Sequence, residues 1–254
     1  MQAYNKRASA VIDWLYELAT QHDRRIMVRL VKGAYWDTEI KRAQVEGFAY
    51  YPVYTRKSAT DVSYICCAQQ LLQMGDRIYA QFATHNAHSV AAILNMAPDK
   101  DSFEFQRLHG MGSVLHRQVM ESEKTHCRVY APVGEHVDLL AYLVRRLLEN
   151  GANSSFVNQI VDEDIPAQEI AADPFHILKD AIENKPNPLT IPTDIFLPER
   201  QNSRGWDIHD YQDLAAIETA RAPFKIAQWQ VQPIIDGKVK GLSLIHISEP
   251  TRPY

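Results

Sequence analysis

Two kinds of apolar pattern alternate along the first 150 residues of the chain. Short runs rich in β-branched and aromatic residues predict strands at 25–31, 77–83, 103–108 and 127–131. Longer segments with apolar residues at helical spacing predict helices at 8–20, 37–45, 60–74, 89–96 and 136–150. The last of these helices stops at Gly151, as expected of a C-terminal glycine. Because apolar strands alternate with helices, the pattern predicts an α/β fold with a parallel sheet.

Two architectures fit this pattern, a doubly wound sheet and a (β/α)8 barrel. Polar residues and glycines follow each predicted strand, as in Lys32-Gly33, Thr84-His85 and His109-Gly110. Barrel enzymes place their chemistry on the loops that follow the strands. No G-x-G-x-x-G fingerprint follows any strand, which weighs against a dinucleotide-binding doubly wound sheet. The four strands and a stub at Gln2-Ala3-Tyr4 account for about half of a barrel, and we expect its C-terminal half.

The pattern changes after Ala152, where prolines and acidic residues replace the alternation. We expect residues 1–158 to form the C-terminal part of the barrel and 159–184 to be a linker. A short helical stretch and a strand candidate at 230–236 suggest that 185–240 begins a second module. Residues 241–254 continue no preceding pattern and are interpreted as a non-native tail.

Composition and charge narrow the class of protein. The 254 residues are 46% hydrophobic and 23% charged, which is typical of a globular chain. The net charge of -4 offers no basic excess for nucleic acid. The three cysteines, Cys66, Cys67 and Cys127, have no C-x-x-C spacing, so neither a disulfide framework nor a zinc site is predicted. No apolar run approaches 18 residues and no signal peptide is evident, which predicts a cytoplasmic chain.

The segment from Arg29 to Asp37 concentrates groups that suit an anionic or electron-rich planar ligand. Arg29 and Lys32 can stabilise negative charge on a ring, and Gly33 permits close approach of the backbone. Tyr35 or Trp36 can cover an aromatic face. The alternative is a strand end with a surface lysine and core aromatics, but the concentration of these groups favours a functional site.

The stretch from Thr84 to His88 offers hydroxyl, imidazole and amide groups after a strand. The spacing of His85 and His88 could hold a metal, but no carboxylate or third ligand lies nearby in the sequence. Helix capping by Thr84 or Asn86 explains part of the motif. Hydrogen bonds to a bound cofactor are the second interpretation.

Two adjacent arginines, Arg145 and Arg146, lie in a helix whose leucines already form the apolar face. Glu149 follows at helical spacing, so a solvated ion pair within the helix is one explanation. The other is a carboxylate clamp, since guanidinium groups bind carboxylates in a bidentate way. The residues alone leave both open.

Several motifs in order carry a resemblance to a known family. The strings are QAYNKR, RLVKGAYWDTEIKRAQ, YPVYTRK, FATHNAH, FEFQRLHGMG, CRVYAPVGEH and LVRRLLENGANSSFV. From Gln2 to about Pro174 the chain resembles the proline dehydrogenase domain of the proline utilization A family, bifunctional bacterial flavoenzymes that oxidise proline to glutamate.

The resemblance implies FAD as cofactor and L-proline as substrate, with pyrroline-5-carboxylate as product and a membrane quinone as electron acceptor. Peripheral association of the parent with the inner face of the membrane would follow from the quinone. The family's second module is an aldehyde dehydrogenase that uses NAD, which this chain would only begin. The implied cofactor-binding residues are Gln2, Arg29, Val31, Lys32, Gly33, Ala34, Trp36, Thr84, His85 and Phe156. The implied substrate-binding residues are Arg145, Arg146, Tyr130 and Leu108, with Glu149 orienting the arginines and Tyr142 packing nearby.

The chain also departs from the family pattern. The early barrel strands, which carry a lysine and an aspartate of the family's active site, would precede Gln2. We therefore expect the chain alone neither to close a barrel nor to oxidise proline. Two alternatives remain: a non-catalytic barrel-derived fragment that binds a small carboxylate or regulates a partner, and a barrel enzyme that acts on a phosphorylated substrate.

Overall fold

The computed structural model describes residues 1–151, 165–227 and 232–239, and the side chains of 147–151 and 167 are not among what it describes. The chain divides into two compact units, Met1–Gly205 and Trp206–Tyr254. Phe156, predicted as a cofactor contact, and the predicted tail lie outside the described residues.

The first unit alternates helices and strands as the pattern predicts. The strands are β1 (Ile26–Leu30), β2 (Ile78–Ala83), β3 (Phe103–Leu108) and β4 (His126–Tyr130). The helices of this part are α1 (Ala8–Gln21), α2 (Trp36–Glu46), α3 (Lys57–Gln73), α4 (Ala87–Met96), α5 (Ser113–Glu123) and α6 (His136–Gly151). Helix α5 was not predicted, and the other bounds lie within about three residues of the prediction.

The four strands form one parallel sheet in the order β1-β2-β3-β4. Gln2 adds a parallel bridge to Val31 on the free side of β1. Each strand therefore pairs with the next along the chain, without the reversal of strand order that marks a doubly wound sheet. The predicted α/β fold with a parallel sheet is confirmed.

The two faces of the sheet differ in polarity. Val28 and Leu30 of β1 are buried towards the helices with Ile78, Phe82 and Phe103, and the Phe82 and Phe103 rings pack with centroids 5.6 Å apart. The opposite face carries Arg29, Gln81 and Glu104 as register partners on the first three strands, and Gln106 and Arg128 as partners one row further on. The sheet thus has one apolar, helix-covered face and one polar face.

Residues 174–205 are the last part of the first unit and pack on the elements that precede them. The helix Pro174–Asn184 begins at Asp173, whose carboxylate accepts from the Phe175 amide, and it packs on α3. Beyond it, the Tyr51 hydroxyl donates to the Thr190 carbonyl over 2.8 Å, and the Gly205 amide donates to the Gly47 carbonyl over 2.8 Å. Residues 185–205, which were predicted to open a second module, therefore pack with the first unit. The functional division at 158 and 184 stays a prediction.

The second unit contains the helix Tyr211–Arg221 and a two-stranded antiparallel ladder, β5 (Ile234–Ile235) and β6 (Lys238–Val239). Asp210 caps the helix by accepting from the Gln212 amide. Asp236 and Gly237 both have positive φ, as a tight hairpin turn requires. Across the described ranges, no helix is long and apolar enough to cross a membrane.

Candidate functional site

The Arg29 side chain reaches across the polar face of the sheet. Its guanidinium carbon lies 4.2 Å from the centroid of the Tyr130 ring. Arg29 lies on β1, and Tyr130 is the last residue of β4. In a flat sheet these two strands would be about 14 Å apart, at three strand spacings of about 4.8 Å. The two side chains therefore meet over the sheet and place a guanidinium and an aromatic ring together near the carboxyl ends of the strands.

Lys32 lies on the other side of the sheet from Arg29. Its ammonium forms an ion pair with Asp61 of α3 and lies 5.9 Å from the centroid of the buried Tyr64 ring. Lys57, the first residue of α3, interacts electrostatically with both Asp61 and Lys32, and burial lowers the pKa of the Lys57 ammonium. Arg29 and Lys32 therefore lie on opposite faces of the sheet, with Lys32 paired to Asp61. Their predicted role in stabilising the negative charge of a ligand stays a prediction.

The absence of a side chain at Gly33 is explained by a packing contact that the sequence did not reveal. Its φ is +124°, and a Cβ at this position would lie 2.0 Å from Cδ1 of Tyr4. Tyr4 is buried in a small core with Ile40, Ala43 and four other residues. The glycine therefore accommodates Tyr4, and no ligand is needed to explain it. Ala34 follows it in the loop before α2, and Gln2 stays beside Val31 through the bridge described above.

The aromatic residues of the first loop are held by α2, α6 and the chain after α2. The Trp36 indole N–H donates to the Tyr54 carbonyl over 2.7 Å. The Arg145 guanidinium carbon lies 4.3 Å from the Tyr35 ring centroid, and its Nη1 is 3.5 Å from Thr38 Oγ1. Arg145 of α6 is thereby brought to the start of α2, 107 positions away in the chain.

Arg146 contacts a different aromatic ring from Arg145. Its guanidinium carbon lies 5.0 Å from the centroid of the Tyr142 ring on the same helix, and its charge helps to lower the pKa of His85. Tyr142, expected only to pack, therefore contacts the guanidinium. The side chain of Glu149, predicted to orient the pair, lies outside the described residues.

His85 joins two of the predicted site residues. Its Nε2 accepts from the amide of Leu108 over 3.1 Å, linking the end of β2 to the end of β3. Burial, with His116, Arg107 and Arg146 nearby, lowers the pKa of His85 to about 4. The imidazole is therefore neutral near pH 7.

The capping interpretation of the Thr84 motif is confirmed. Thr84 Oγ1 accepts from the Asn86 amide over 3.1 Å, and Asn86 Oδ1 accepts from the Ser89 amide over 3.0 Å at the start of α4. Thr84 itself is buried. Among the residues that the structure describes, no group of three or more His, Cys, Asp or Glu is placed to hold a metal.

A buried carboxylate connects three strands on the polar face. Glu104 accepts from Arg128 Nε and Nη2 over 2.7 and 2.8 Å, from Gln81 over 2.9 Å and from Gln106 over 2.8 Å. The hydrogen bonds from Arg128 outweigh the effect of burial and lower the pKa of Glu104. This network fixes β2, β3 and β4 beneath the site.

Sequence reasoning missed three residues that shape the site: Tyr4, Asp61 and His116. His116 was missed because α5 was not predicted. The spacing of three between Arg29 and Lys32 could have signalled that they occupy opposite faces, because side chains alternate along a strand. Nothing in the local pattern indicates that Tyr4 packs on Gly33.

Cations, aromatic rings and a neutral imidazole lie near the carboxyl ends of the parallel strands of this α/β protein, where such folds commonly bind ligands. The model of the proline dehydrogenase family matches residues 1–159, and the chain belongs to that family.

Similar proteins agree with this assignment. The bifunctional protein PutA of Salmonella typhimurium and that of Escherichia coli are each 47% identical over 267 aligned positions, covering 100% of this chain and 20% of theirs. A crystal structure of bifunctional proline utilization A matches with a TM-score of 0.84 and 50% identity, over 94% of this chain and 24% of that one. The proline dehydrogenase of Deinococcus radiodurans is 34% identical over 149 positions, 57% of this chain and 43% of that protein. The chain spans about a fifth of the length of the PutA relatives.

Proposed function

We propose that this chain contributes part of the site at which an FAD-dependent enzyme oxidises L-proline to pyrroline-5-carboxylate and passes the electrons to a quinone. The observation that carries the proposal is the placement of Arg145 and Arg146. The Arg145 guanidinium contacts Tyr35 at the start of α2, and Arg146, the next residue of α6, lies over Tyr142 and adds positive charge near His85, so one helix turn supplies two guanidinium groups. In the part of the chain that the structure describes, this pair offers the best match to the carboxylate of an amino acid.

The donor set fits a flavin. The exposed guanidinium of Arg29 lies over Tyr130 and could stabilise negative charge on a reduced flavin ring. The bridge between Gln2 and Val31 and the neutral His85 supply uncharged polar groups at the same strand ends. When bound, FAD would supply the hydride acceptor, whose chemistry is its own. Lys32 is already paired with Asp61, so we assign the principal charge stabilisation to Arg29.

The two arginines would bind and orient the substrate. Guanidinium groups form paired hydrogen bonds with a carboxylate and stay charged when partly buried. Arg145 is braced by Tyr35 and Arg146 by Tyr142, which reduces the side-chain entropy lost when a carboxylate binds. Fixing the carboxylate at two points limits how the proline ring can lie and so presents one C–H for removal. Tyr130 and Leu108 stay candidates for lining the same pocket.

We further propose that the sheet is the C-terminal half of a (β/α)8 barrel. Its sequential parallel order is the barrel order. On the polar face, Met27 is 66% exposed and the Arg128 side chain 60% exposed, although this face would be the inside of a closed barrel. The bridge from Gln2 to Val31 continues the pairing beyond β1.

The test places this chain in the matching segment of the Escherichia coli PutA relative and measures proline-dependent reduction of a dye. Arg145→Met combined with Arg146→Met should lower kcat/KM for proline by about 100-fold or more, since each charged hydrogen bond contributes about 1.5–3 kcal/mol. Flavin absorbance should persist. Arg117→Met, a change at an exposed arginine of α5, is the matched control and should leave both unchanged.

A double variant with the KM and kcat of the parent chimera would overturn the proposed role of the arginines. The half-barrel proposal has its own test. The 254-residue chain by itself should show no proline-dependent dye reduction, and turnover by the isolated chain would contradict it.

A further inference from the structure

His116 is a buried histidine that the proposed reaction does not use. It lies on α5 with no exposed surface, and its Nε2 is 2.9 Å from the carbonyl oxygen of Thr84. Because a carbonyl can only accept, Nε2 must be the protonated nitrogen. Its Nδ1 is buried and has no hydrogen-bond partner among the described residues, as suits a nitrogen without a proton. Burial lowers the pKa of His116, which keeps the ring neutral.

The hydrogen bond at His85 determines the opposite tautomer. The Leu108 amide donates to His85 Nε2, so this nitrogen has no proton. A neutral imidazole carries one proton, and on His85 it must therefore be on Nδ1. The bond from Leu108 occupies Nε2 of His85. The Nδ1–H group is then the one N–H donor that His85 can offer to a ligand.

The two rings are packed against each other and against the start of α5. Their centroids are 6.3 Å apart with planes at 85°. Gly112, at a φ of +61°, directly precedes α5, and a Cβ there would lie 2.8 Å from Cδ2 of His85 and 3.4 Å from Cδ2 of His116. Phe105 of β3 packs against the His116 ring, and the two ring centroids are 5.8 Å apart. A ring flip of His85 would have to displace this packing and break the bond to Leu108.

We propose that His116 is a positioning residue that holds the Thr84-His85 strand end so that His85 presents Nδ1–H as its single donor to an acceptor atom of the flavin. His116 donates to the carbonyl of the residue before His85, and its ring packs nearly perpendicular to the His85 ring. This inference rests on the proposed function for the identity of the ligand. The tautomer and the role of His116 in fixing it are properties of the chain by itself.

The test uses the full chain labelled with 15N on its histidines, and reads tautomers from the ring nitrogen shifts at pH 7 without flavin or proline. His85 should give the Nδ1–H pattern and His116 the Nε2–H pattern. In His116→Phe, which keeps a ring but not the donor, the His85 nitrogen shifts should move towards the average of the two tautomers. His116→Gln, whose amide can still donate to Thr84, should restore the Nδ1–H pattern, and exposed His22→Phe should change nothing.

A second measurement links the tautomer to the ligand. Titration of the flavin-free chimera described above with FAD, followed by flavin fluorescence, should give a Kd about tenfold weaker for His116→Phe than for His116→Gln, which equals about 1.4 kcal/mol. A wild-type His85 in the Nε2–H form, or a His85 pattern unaltered in His116→Phe, overturns the proposal. A chimera in which His85 and His116 show the predicted tautomers but which has no affinity for FAD would instead contradict the proposed function.

Discussion

Replacing Arg128 with methionine would leave the buried carboxylate of Glu104 without its cation. Arg128 donates two hydrogen bonds to the two oxygens of Glu104, and two glutamine amides complete the set. Methionine keeps most of the apolar stem of the side chain, so the change isolates the charged fork. The carboxylate would then be ionised at pH 7 with only amide partners.

The expected cost follows from the burial of one partner and the exposure of the other. Breaking a buried ion pair costs about 3–5 kcal/mol, and a charged hydrogen bond contributes about 1.5–3 kcal/mol. Because the Arg128 side chain is 60% exposed, solvent screens part of the attraction. We therefore expect Arg128→Met to lower the free energy of unfolding by about 2–3 kcal/mol.

Urea unfolding followed by circular dichroism measures this difference. Arg42→Met is the matched control, because Arg42 forms an exposed pair with Glu46 one helix turn away. Its effect should be about 0.3–0.5 kcal/mol.

The difference should also depend on pH. The pKa of Glu104 is lower in the folded chain than its ordinary value. The pair therefore contributes stability above the unfolded pKa of about 4.3, and this stability is lost as pH falls through the lower folded-state pKa. An Arg128→Met effect no larger than that of Arg42→Met, or one that stays constant down to pH 3, would refute the reasoning.

Two further changes test local structure. Gly205→Ala would place a Cβ 1.7 Å from the carbonyl oxygen of Glu46, so residues 185–205 should detach and trypsin should cut them about tenfold faster. Gly75→Ala, where the nearest atom is 3.5 Å away, should leave the cleavage rate unchanged, and equal rates in both variants would contradict the close contact. Asn86→Ala removes the N-cap of α4 and should cost about 1 kcal/mol in urea unfolding, whereas Asn86→Asp should restore most of it; an alanine variant as stable as the parent would disprove the capping role.

The strands and most helices were predictable because burial on one side imposes a period on the sequence. Helix α5 escaped because its apolar face is small: only His116 and Val119 are buried, while Val114 is 76% exposed. A histidine does not register as an apolar position, so half of the buried face of this helix was invisible to the pattern.

The sequence proposed the residues of the candidate site, but it predicted only part of their arrangement. Arg29 and His85 lie at strand ends as expected, because parallel strands bring their carboxyl ends to one edge. The pairing of Lys32 with Asp61 depends on which face of the sheet the side chain occupies, and the site assignments themselves stay predictions.

By itself, the sequence determined the alternation of strands and helices, the capping of α4 and the membership of the family, since each is written in local spacing or in contiguous motifs. Only the tertiary structure decided that a side chain at position 33 would meet Tyr4, that Arg145 reaches Tyr35, and that His85 Nε2 contacts the Leu108 amide while His116 Nε2 contacts the Thr84 carbonyl. These depend on contacts between residues some 20 to 110 positions apart, as with the 107 that separate Arg145 from Thr38. A local sequence pattern indicates which side of a segment is buried. The residues that pack against that side are determined only when folding brings distant parts of the chain together.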